Sequence, residues 1–500
     1  MSLLTTVAKH AVTRGKEVAI IDDQGRYTYQ QVVGAAMFIA QEIERMTDRP
    51  NVGILLPTGA GAPIAMLGCW LARRTAIPFN YLLNKDELAW VIGDSDIDLL
   101  ISVGPMLDFV GGRDILPWGV QVLDMAELDF TGPPPLRWPP IFDGDETAVI
   151  LYTSGTSGRP KGVMLTHDNI ERNAWAGIEH SRIVSADVFL GVLPQFHSFG
   201  LTALTMIPLA VGARVVYTAR FIPAKVIDLI RKHKPQVIMA VPSMYGALLS
   251  VKKAEPTDFE SVRFAISGGE PLPSSVFEAY MDRFNLKLLE GYGLTETSPA
   301  MNWATNDRWK RHSVGQSLPG QTTVIVDDAN RILPTNTEGE IMTAGPFVMK
   351  GYYKRPDLTA GVMCDLQVPD EEGVTRTRTF FRTGDIGRID DDGYLYITGR
   401  KKEMLIIGGE NVFPREIEEI INRHPDVRYA AVIGRQDDMR GEVPIAFVEM
   451  EEGKAFDEAG IRKLCRDNLA GYKVPKEIRV LPALPRNGTG KILRRQLKAD

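Results

Sequence analysis

Strand-like apolar runs alternate with helix-like segments over the first three-quarters of the chain, and this alternation restricts the fold more than any other feature. Ala148–Tyr152 precedes a glycine-rich loop and a helix expected to begin near Asp168. Gln236–Val241 precedes Pro242 and a helix, and Val262–Ile266 precedes Ser267-Gly-Gly and another. Apolar strands that each feed a helix are βαβ units, and their stable arrangement is a parallel sheet covered by helices. After Val314 the strands shorten and turns separate them, at Thr323–Val326, Glu340–Thr343 and Tyr394–Thr398. That texture predicts a mostly antiparallel or barrel-like subdomain over about 314–400. A second change comes at Gly399-Arg-Lys-Lys-Glu403. Beyond it the pattern predicts a helix over Pro414–Arg423, strands at Tyr429–Ile433 and Ile445–Glu449, a helix over Asp457–Leu469 and a basic tail. The fold class expected is therefore α/β. A large N-terminal domain (1–401) of helix-covered sheets would carry the β-rich subdomain, and a small mobile α+β C-terminal domain would span 402–500.

Composition excludes several function classes. The 57 Lys and Arg against 63 Asp and Glu leave a net charge of −6, which argues against a protein held on nucleic acid by bulk charge. Cys69, Cys364 and Cys465 follow no CxxC spacing, so neither a disulfide framework nor a zinc cluster is expected, and a reducing cytoplasm fits best. The first twenty residues carry Lys9, His10, Arg14, Lys16 and Glu17 and lack the apolar core of a signal peptide. Two uncharged runs, Val52–Ala72 and Val188–Ala213, are interrupted by Pro57 and Pro63, and by Pro194, Gln195, His197 and Pro208. Each divides into a strand, a turn and a buried helix, and no integral membrane segment is expected. Thr131–Pro140 is proline-rich and reads as a surface linker.

The stretch richest in chemistry is Tyr152-Thr-Ser-Gly-Thr-Ser-Gly-Arg-Pro-Lys-Gly162. Glycines let backbone N–H groups turn toward an anion, hydroxyls add donors, and Lys161 adds a point charge: a loop suited to cradling phosphates. It is not a GxxxxGK[ST] loop, because Pro160 precedes Lys161 and Gly162 follows it. A flexible Ser/Gly turn is the commoner use of such composition, but here the stretch directly follows an apolar strand. Three further segments carry concentrated polar chemistry: Glu290-Gly-Tyr-Gly-Leu-Thr-Glu-Thr297, Arg382-Thr-Gly-Asp-Ile-Gly387 and Pro485-Arg-Asn-Gly-Thr-Gly-Lys-Ile-Leu-Arg494. Singly, each has an ordinary reading as a solvated pair, a turn or a surface lysine.

In this order and combination the four segments resemble the adenylate-forming superfamily of acyl-CoA synthetases, adenylation domains and luciferases, over about residues 54–497. The resemblance implies ATP- and Mg²⁺-dependent activation of a carboxylate as acyl-AMP, release of pyrophosphate, and transfer of the acyl group to a thiol, commonly CoA. By that pattern Thr153, Ser154, Gly155, Thr156, Ser157, Gly158 and Lys161 would hold the β- and γ-phosphates. Thr295 would contact the α-phosphate and Glu296 would bind Mg²⁺. Gly269, Glu270 and Pro271 would form the adenine slot with Tyr292 stacking on the base, Asp385 would accept the ribose hydroxyls, and Arg400 would support them. Lys491 matches the lysine that reaches the reacting oxygens in adenylation. Lys402 matches the hinge about which the C-terminal domain rotates, bringing Gly408 and Gly409 to line a pantetheine channel. His197, in Leu193-Pro-Gln-Phe-His-Ser-Phe-Gly200, matches a gate between the acyl pocket and the CoA channel. The family often has a hydrophobic residue where Gln195 stands, which implies a slightly more polar pocket rim, and a small residue where Glu270 stands.

The acyl pocket is expected to be walled by Phe199, Leu201, Val241, Ser243, Tyr245 and Gly268. These are apolar or small, and they include no cation for a second carboxylate and no Asp for an ammonium group. A medium- or long-chain fatty acid is the first expectation, an aryl acid the second, and loading of an acyl carrier protein a third. A monomer or homodimer is expected.

Overall fold

The computed structural model describes residues 2–153, 159–369, 373–437, 439–486 and 491–499. The alternating part of the chain forms two largely parallel sheets. In the nine-stranded sheet, Leu289–Gly293, Phe264–Ser267, Val237–Ala240, Val188–Gly191, Arg214–Tyr217 and Val18–Ile21 lie parallel in that order, with antiparallel strands outside them. In the seven-stranded sheet, Thr147–Thr153, Thr75–Pro78, Asn51–Leu55, Leu99–Ser102 and Gln121–Asp124 are parallel. Val237–Ala240 and Phe264–Ser267 are buried at every residue, as strands covered on both faces must be. The helix Gly61–Leu71 lies almost wholly in the core, so the uncharged run around it is interior chain. Among the described residues no helix is long and apolar enough to cross a membrane. All three cysteines are unpaired.

One element departs from the sequence expectation. After Thr147–Thr153 the chain does not pass from loop to helix. It returns antiparallel as Lys161–Thr166 before the helix His167–Ser181 begins. Gly162, Val163, Leu165 and Thr166 are buried on this added strand, whose outer side pairs with Gly351–Tyr352, and Thr166 then caps the helix through a reciprocal capping box with Asn169. Met363–Pro369 pairs antiparallel with the start of Thr375–Ile389.

Apart from Gly351–Tyr352, which joins the seven-stranded sheet, the strands between 322 and 400 form a five-stranded antiparallel sheet, with register shifts at Glu340/Met342 and Ile386/Gly387. Beyond Arg400 a separate five-stranded sheet is built on the long hairpin of Val427–Asp437 with Gly441–Met450. Its own core includes Ile417, Ile421, Val432, Val448, Ile461 and Cys465. This unit docks on the larger one through several contacts. Arg415 Nη1 donates to the Ile397 carbonyl, and His312 Nδ1 lies 3.7 Å from Glu419 Oε1, while Arg494 bridges Glu403 and Glu418 within the smaller unit.

Candidate active site

Ligands of open α/β sheets bind outside the carboxyl ends of the strands, where the strand order reverses. In the nine-stranded sheet that reversal falls at Val188–Gly191, which has Arg214–Tyr217 on one side and Val237–Ala240 on the other. A cavity of about 930 Å³ opens there, floored by the large unit and closed by the C-terminal one. It brings together Thr153, Lys161, His197, Phe199, Val241, Gly268, Gly269, Glu270, Tyr292, Thr295, Glu296, Arg400, Lys402 and Lys491. Residues more than three hundred positions apart in sequence thus face one space. Ser154, Gly155, Thr156, Ser157 and Gly158 lie outside the described residues.

Three side chains form a charged core on the wall. Lys161 Nζ donates to the Tyr352 hydroxyl at 2.5 Å, and that hydroxyl donates to Glu296 Oε1 at 2.8 Å. Lys161 also lies 3.4 Å from the same carboxylate oxygen and 3.8 Å from the centre of the Tyr352 ring. Tyr352 was not among the residues singled out from sequence. It stands in Gly351-Tyr-Tyr-Lys-Arg-Pro356, where its pairing with Lys161–Thr166 is a tertiary fact. Thr295 is held by a hydrogen bond of 3.2 Å with Ser198, which ties it to the segment carrying His197.

Tyr292 donates to Asp385 Oδ2 at 2.6 Å, and Arg400 Nε lies 3.0 Å from Asp385 Oδ1. Burial pushes the Asp385 carboxyl up from its ordinary range, an effect that Arg400 and the Tyr292 hydroxyl oppose. Asp385 sits behind Tyr292 and Arg400, which both line the cavity. Lys491 faces the cavity yet is crowded by protein, and this desolvation, with Arg400 beside it, lowers its pKa. Glu270 lies among Arg486, Lys491 and Arg494 and accepts the Ile492 N–H, so it meets the C-terminal unit directly.

His197 is exposed to the cavity, yet the protein crowded around it and the nearby Lys491 depress its pKa to about 4, and the Phe199 N–H donates to its Nδ1 at 3.3 Å. It is therefore a neutral ring at neutral pH. Gln195 does not polarise the rim. It is 2 % exposed, accepting the Gly59 N–H and donating to Thr205.

The acyl wall differs from expectation in its helical face. Phe199–Met206 is a π-helix in which the Ile207 N–H reaches the Thr202 carbonyl, a wide turn often found at functional sites. Phe199, Ala203 and Ile207 line the cavity, while Leu201 points into the core at 0 % exposure. Tyr245 is likewise a core residue, its hydroxyl satisfied by the Ile238 and Ile266 carbonyls, so it walls no pocket. Ser243 and Pro271 do not border the cavity, and neither do Gly408 and Gly409. The last two occupy the turn between Leu405–Ile407 and Glu410–Val412 with φ of 61° and 89°.

Among the described residues no cluster of three His, Cys, Asp or Glu could hold a metal ion. One buried carboxylate beside Lys161 instead fits a Mg²⁺ that arrives with a polyphosphate, since that ion commonly takes one or two carboxylates and keeps the rest of its shell from phosphates and water.

The comparisons with known proteins agree with this geometry. The AMP-binding enzyme profile matches residues 7–353 and the AMP-binding enzyme C-terminal domain profile residues 416–491. A long-chain-fatty-acid–CoA ligase of Bacillus subtilis is 31% identical over 89% of this chain and 85% of its own length. A feruloyl-CoA synthase of Amycolatopsis is 30% identical over 94% of this chain and 93% of its own. The structure of o-succinylbenzoate coenzyme A synthetase from Bacillus subtilis, in complex with ATP and magnesium ion, superposes with a TM-score of 0.84 at 29% identity, covering 99% of each chain. With both profiles in register and the motif residues gathered on one cavity, the chain belongs to the AMP-binding enzyme family of adenylate-forming enzymes.

Proposed function

We propose that this enzyme is an AMP-forming acid–thiol ligase that activates a largely apolar carboxylic acid, with no charge besides the reacting carboxylate, and passes the acyl group to CoA. The observation that carries the reading is the presence of Lys491, from the C-terminal unit, in the same cavity as Thr295, Glu296 and Tyr292. A carboxylate attacking a phosphorus ringed by negative oxygens needs cations and N–H donors to offset the repulsion and hold the reactants in line. Lys161 would serve the β- and γ-phosphates, Thr295 the α-phosphate, Tyr292 the base, and Asp385 with Arg400 the ribose. Glu296 would hold Mg²⁺, which supplies charge neutralisation on the phosphates. Lys491 would meet the acid's oxygen as the new P–O bond forms and pyrophosphate leaves.

In the second step the thiol sulfur attacks the acyl carbon and AMP departs. AMP is already a good leaving group, so a neutral His197 positions the acyl group and channel wall, and no general base is needed there. Rotation about Lys402 would withdraw Lys491 and carry Gly408 and Gly409 toward the cavity, which is consistent with their present distance from it. The walls at Phe199, Ala203, Ile207, Val241, Ile266 and Gly268 carry no charge, which supports a fatty acid first and an aryl acid second. Relatives of both kinds, acting on long-chain fatty acids and on ferulate, support the same pair.

The test is pyrophosphate release across fatty, aryl, dicarboxylic and amino acids, with ATP and Mg²⁺, with and without CoA, with product masses read in parallel. Release with fatty or aryl acids, and acyl-CoA formed only when CoA is present, is the expected result. Acyl-AMP that accumulates despite CoA and discharges onto acyl carrier protein would replace CoA as the acceptor. Silence across the panel would remove the function.

A further inference from the structure

Resting on the acid–thiol ligase reading, we propose that Trp303 is the floor of the acyl pocket and sets the length of acid the enzyme accepts. After Pro299 the chain runs back antiparallel as Ala300–Trp303 beside Leu289–Gly293, so that Ala300 pairs with Gly293 and Trp303 with Gly291. Ala300 stands at the rim, and Trp303 lies three residues deeper, about 10 Å down the strand at the usual rise. Both line the cavity. The opposite wall gives a similar depth. Phe199 at the rim and Ile207 at depth are eight residues apart on one helical face, at most about 12 Å.

The indole closes that depth because it is wedged between the sheet and the helix His167–Ser181. Beneath Ile266, on the same face of its strand, Phe264 meets the indole edge-on at 6.4 Å and no longer borders the cavity. Across from it, Gly177 leaves the space that the ring occupies. A Cβ there would stand 2.7 Å from Trp303 Cη2 and 3.1 Å from Ile207 Cδ1. Gly291 serves the other side, where a Cβ would meet Trp303 Cβ at 3.2 Å and Ile266 Cγ2 at 3.3 Å. His180 holds the strand in place by its hydrogen bond of 2.9 Å with the Trp303 carbonyl. Two glycines thus make room for one large, 3 % exposed side chain at the blind end.

An extended alkyl chain advances about 1.25 Å per carbon, the projection of a tetrahedral C–C bond. A pocket about 10 Å deep therefore takes on the order of eight carbons, or a single substituted ring, before it meets the indole. Longer chains must displace a packed residue, and over-filling of that kind costs about 10- to 100-fold. Trp303 is a specificity residue: it touches the far end of the acid and takes no part in bond making.

The experiment is a chain-length series of saturated acids from four to eighteen carbons, read as kcat/KM for acyl-CoA formation by the wild type, Trp303→Ala and Gly177→Ala. The wild type is expected to peak near eight to ten carbons and to fall about 10-fold or more by sixteen. Trp303→Ala should move the peak to longer acids. Gly177→Ala, which crowds the indole into the pocket, should move it to shorter ones. Should Trp303→Ala fail to fold, Trp303→Phe and Gly177→Ala still shift the peak in opposite directions. A wild type that prefers sixteen carbons, or variants with the wild-type profile, would overturn the inference while leaving the ligase intact. Absence of acyl-CoA with any acid would instead strike the ligase reading itself.

Discussion

Replacing Tyr352 by Phe tests whether the geometry around Glu296 serves a metal ion. The ring is kept, so its packing and its contact with Lys161 remain, and one oxygen is lost. That oxygen donates to Glu296 Oε1 at 2.8 Å and accepts from Lys161 Nζ at 2.5 Å. In the unliganded site Lys161, 3.4 Å away, still neutralises the carboxylate. Once the lysine turns to a phosphate, the Tyr352 hydroxyl becomes the group that keeps the 8 % exposed Glu296 aimed at the ion. A hydrogen bond to a charged partner contributes about 1.5–3 kcal/mol, so the variant should need about 10- to 150-fold more Mg²⁺ for half-maximal rate. The assay is pyrophosphate release against free Mg²⁺ at saturating ATP and acid. At high Mg²⁺ much of the rate should return, which a merely structural lesion would not permit. An unchanged Mg²⁺ midpoint, or a rate loss indifferent to Mg²⁺, would refute the reasoning.

Three further outcomes are expected. Lys491→Ala should lower pyrophosphate release about 10²- to 10³-fold, the usual consequence of removing one stabiliser of developing charge, while thioester formation from supplied acyl-AMP changes much less. Glu290 is held near pH 7, against an ordinary value of 4.5, by a burial that Arg415 and Arg311 only partly offset. The folded state therefore binds its proton more tightly, and wild-type stability falls as pH rises from about 4.5 through 7. Glu290→Gln lacks that loss and should be the more stable protein at pH 8 by on the order of 2 kcal/mol, with the gap closing at pH 4.5, as read by Tm at each pH. His167 stacks on Phe142 at 3.6 Å, and burial, with Arg73 beside it, holds it near 4, below the ordinary 6.5. The unfolded chain takes up this proton first, so stability should fall as pH drops from about 6.5 to 4, and His167→Phe should flatten that slope in urea unfolding.

The chain's own sequence determined the architecture wherever periodicity was undisturbed. Short continuous apolar runs such as Val237–Ala240, bounded by Pro242 or Ser267-Gly-Gly, read as strands covered on both faces that turn into a helix, and they are buried strands in the fold. It also marked part of the polar site, because the loop ending at Lys161 is composed to cradle phosphates, whereas Thr295, Glu296 and Lys491 are picked out only by the resemblance of their segments, in that order, to the adenylate-forming superfamily. What it left open depends on which residues meet across the fold. Leu201 and Tyr245 looked like pocket walls and are core: on the first helix the pocket-facing side runs through Phe199, Ala203 and Ile207, and on Pro242–Leu249 the Tyr245 hydroxyl turns inward to the Ile238 and Ile266 carbonyls. Nothing local distinguishes one face of an apolar helix from another when both are buried.

Tyr352 and Trp303 escaped notice for the same reason. An isolated Tyr in Gly351-Tyr-Tyr or an isolated Trp in Asn302-Trp carries no local pattern. Each acquires its role only when an antiparallel pairing sets Tyr352 beside Val163 and Trp303 beside Gly291. Composition and period act over a few residues and therefore decide elements and motifs. Side-chain contacts between segments far apart in the chain are decided by register and packing, which exist only once the sheets are assembled.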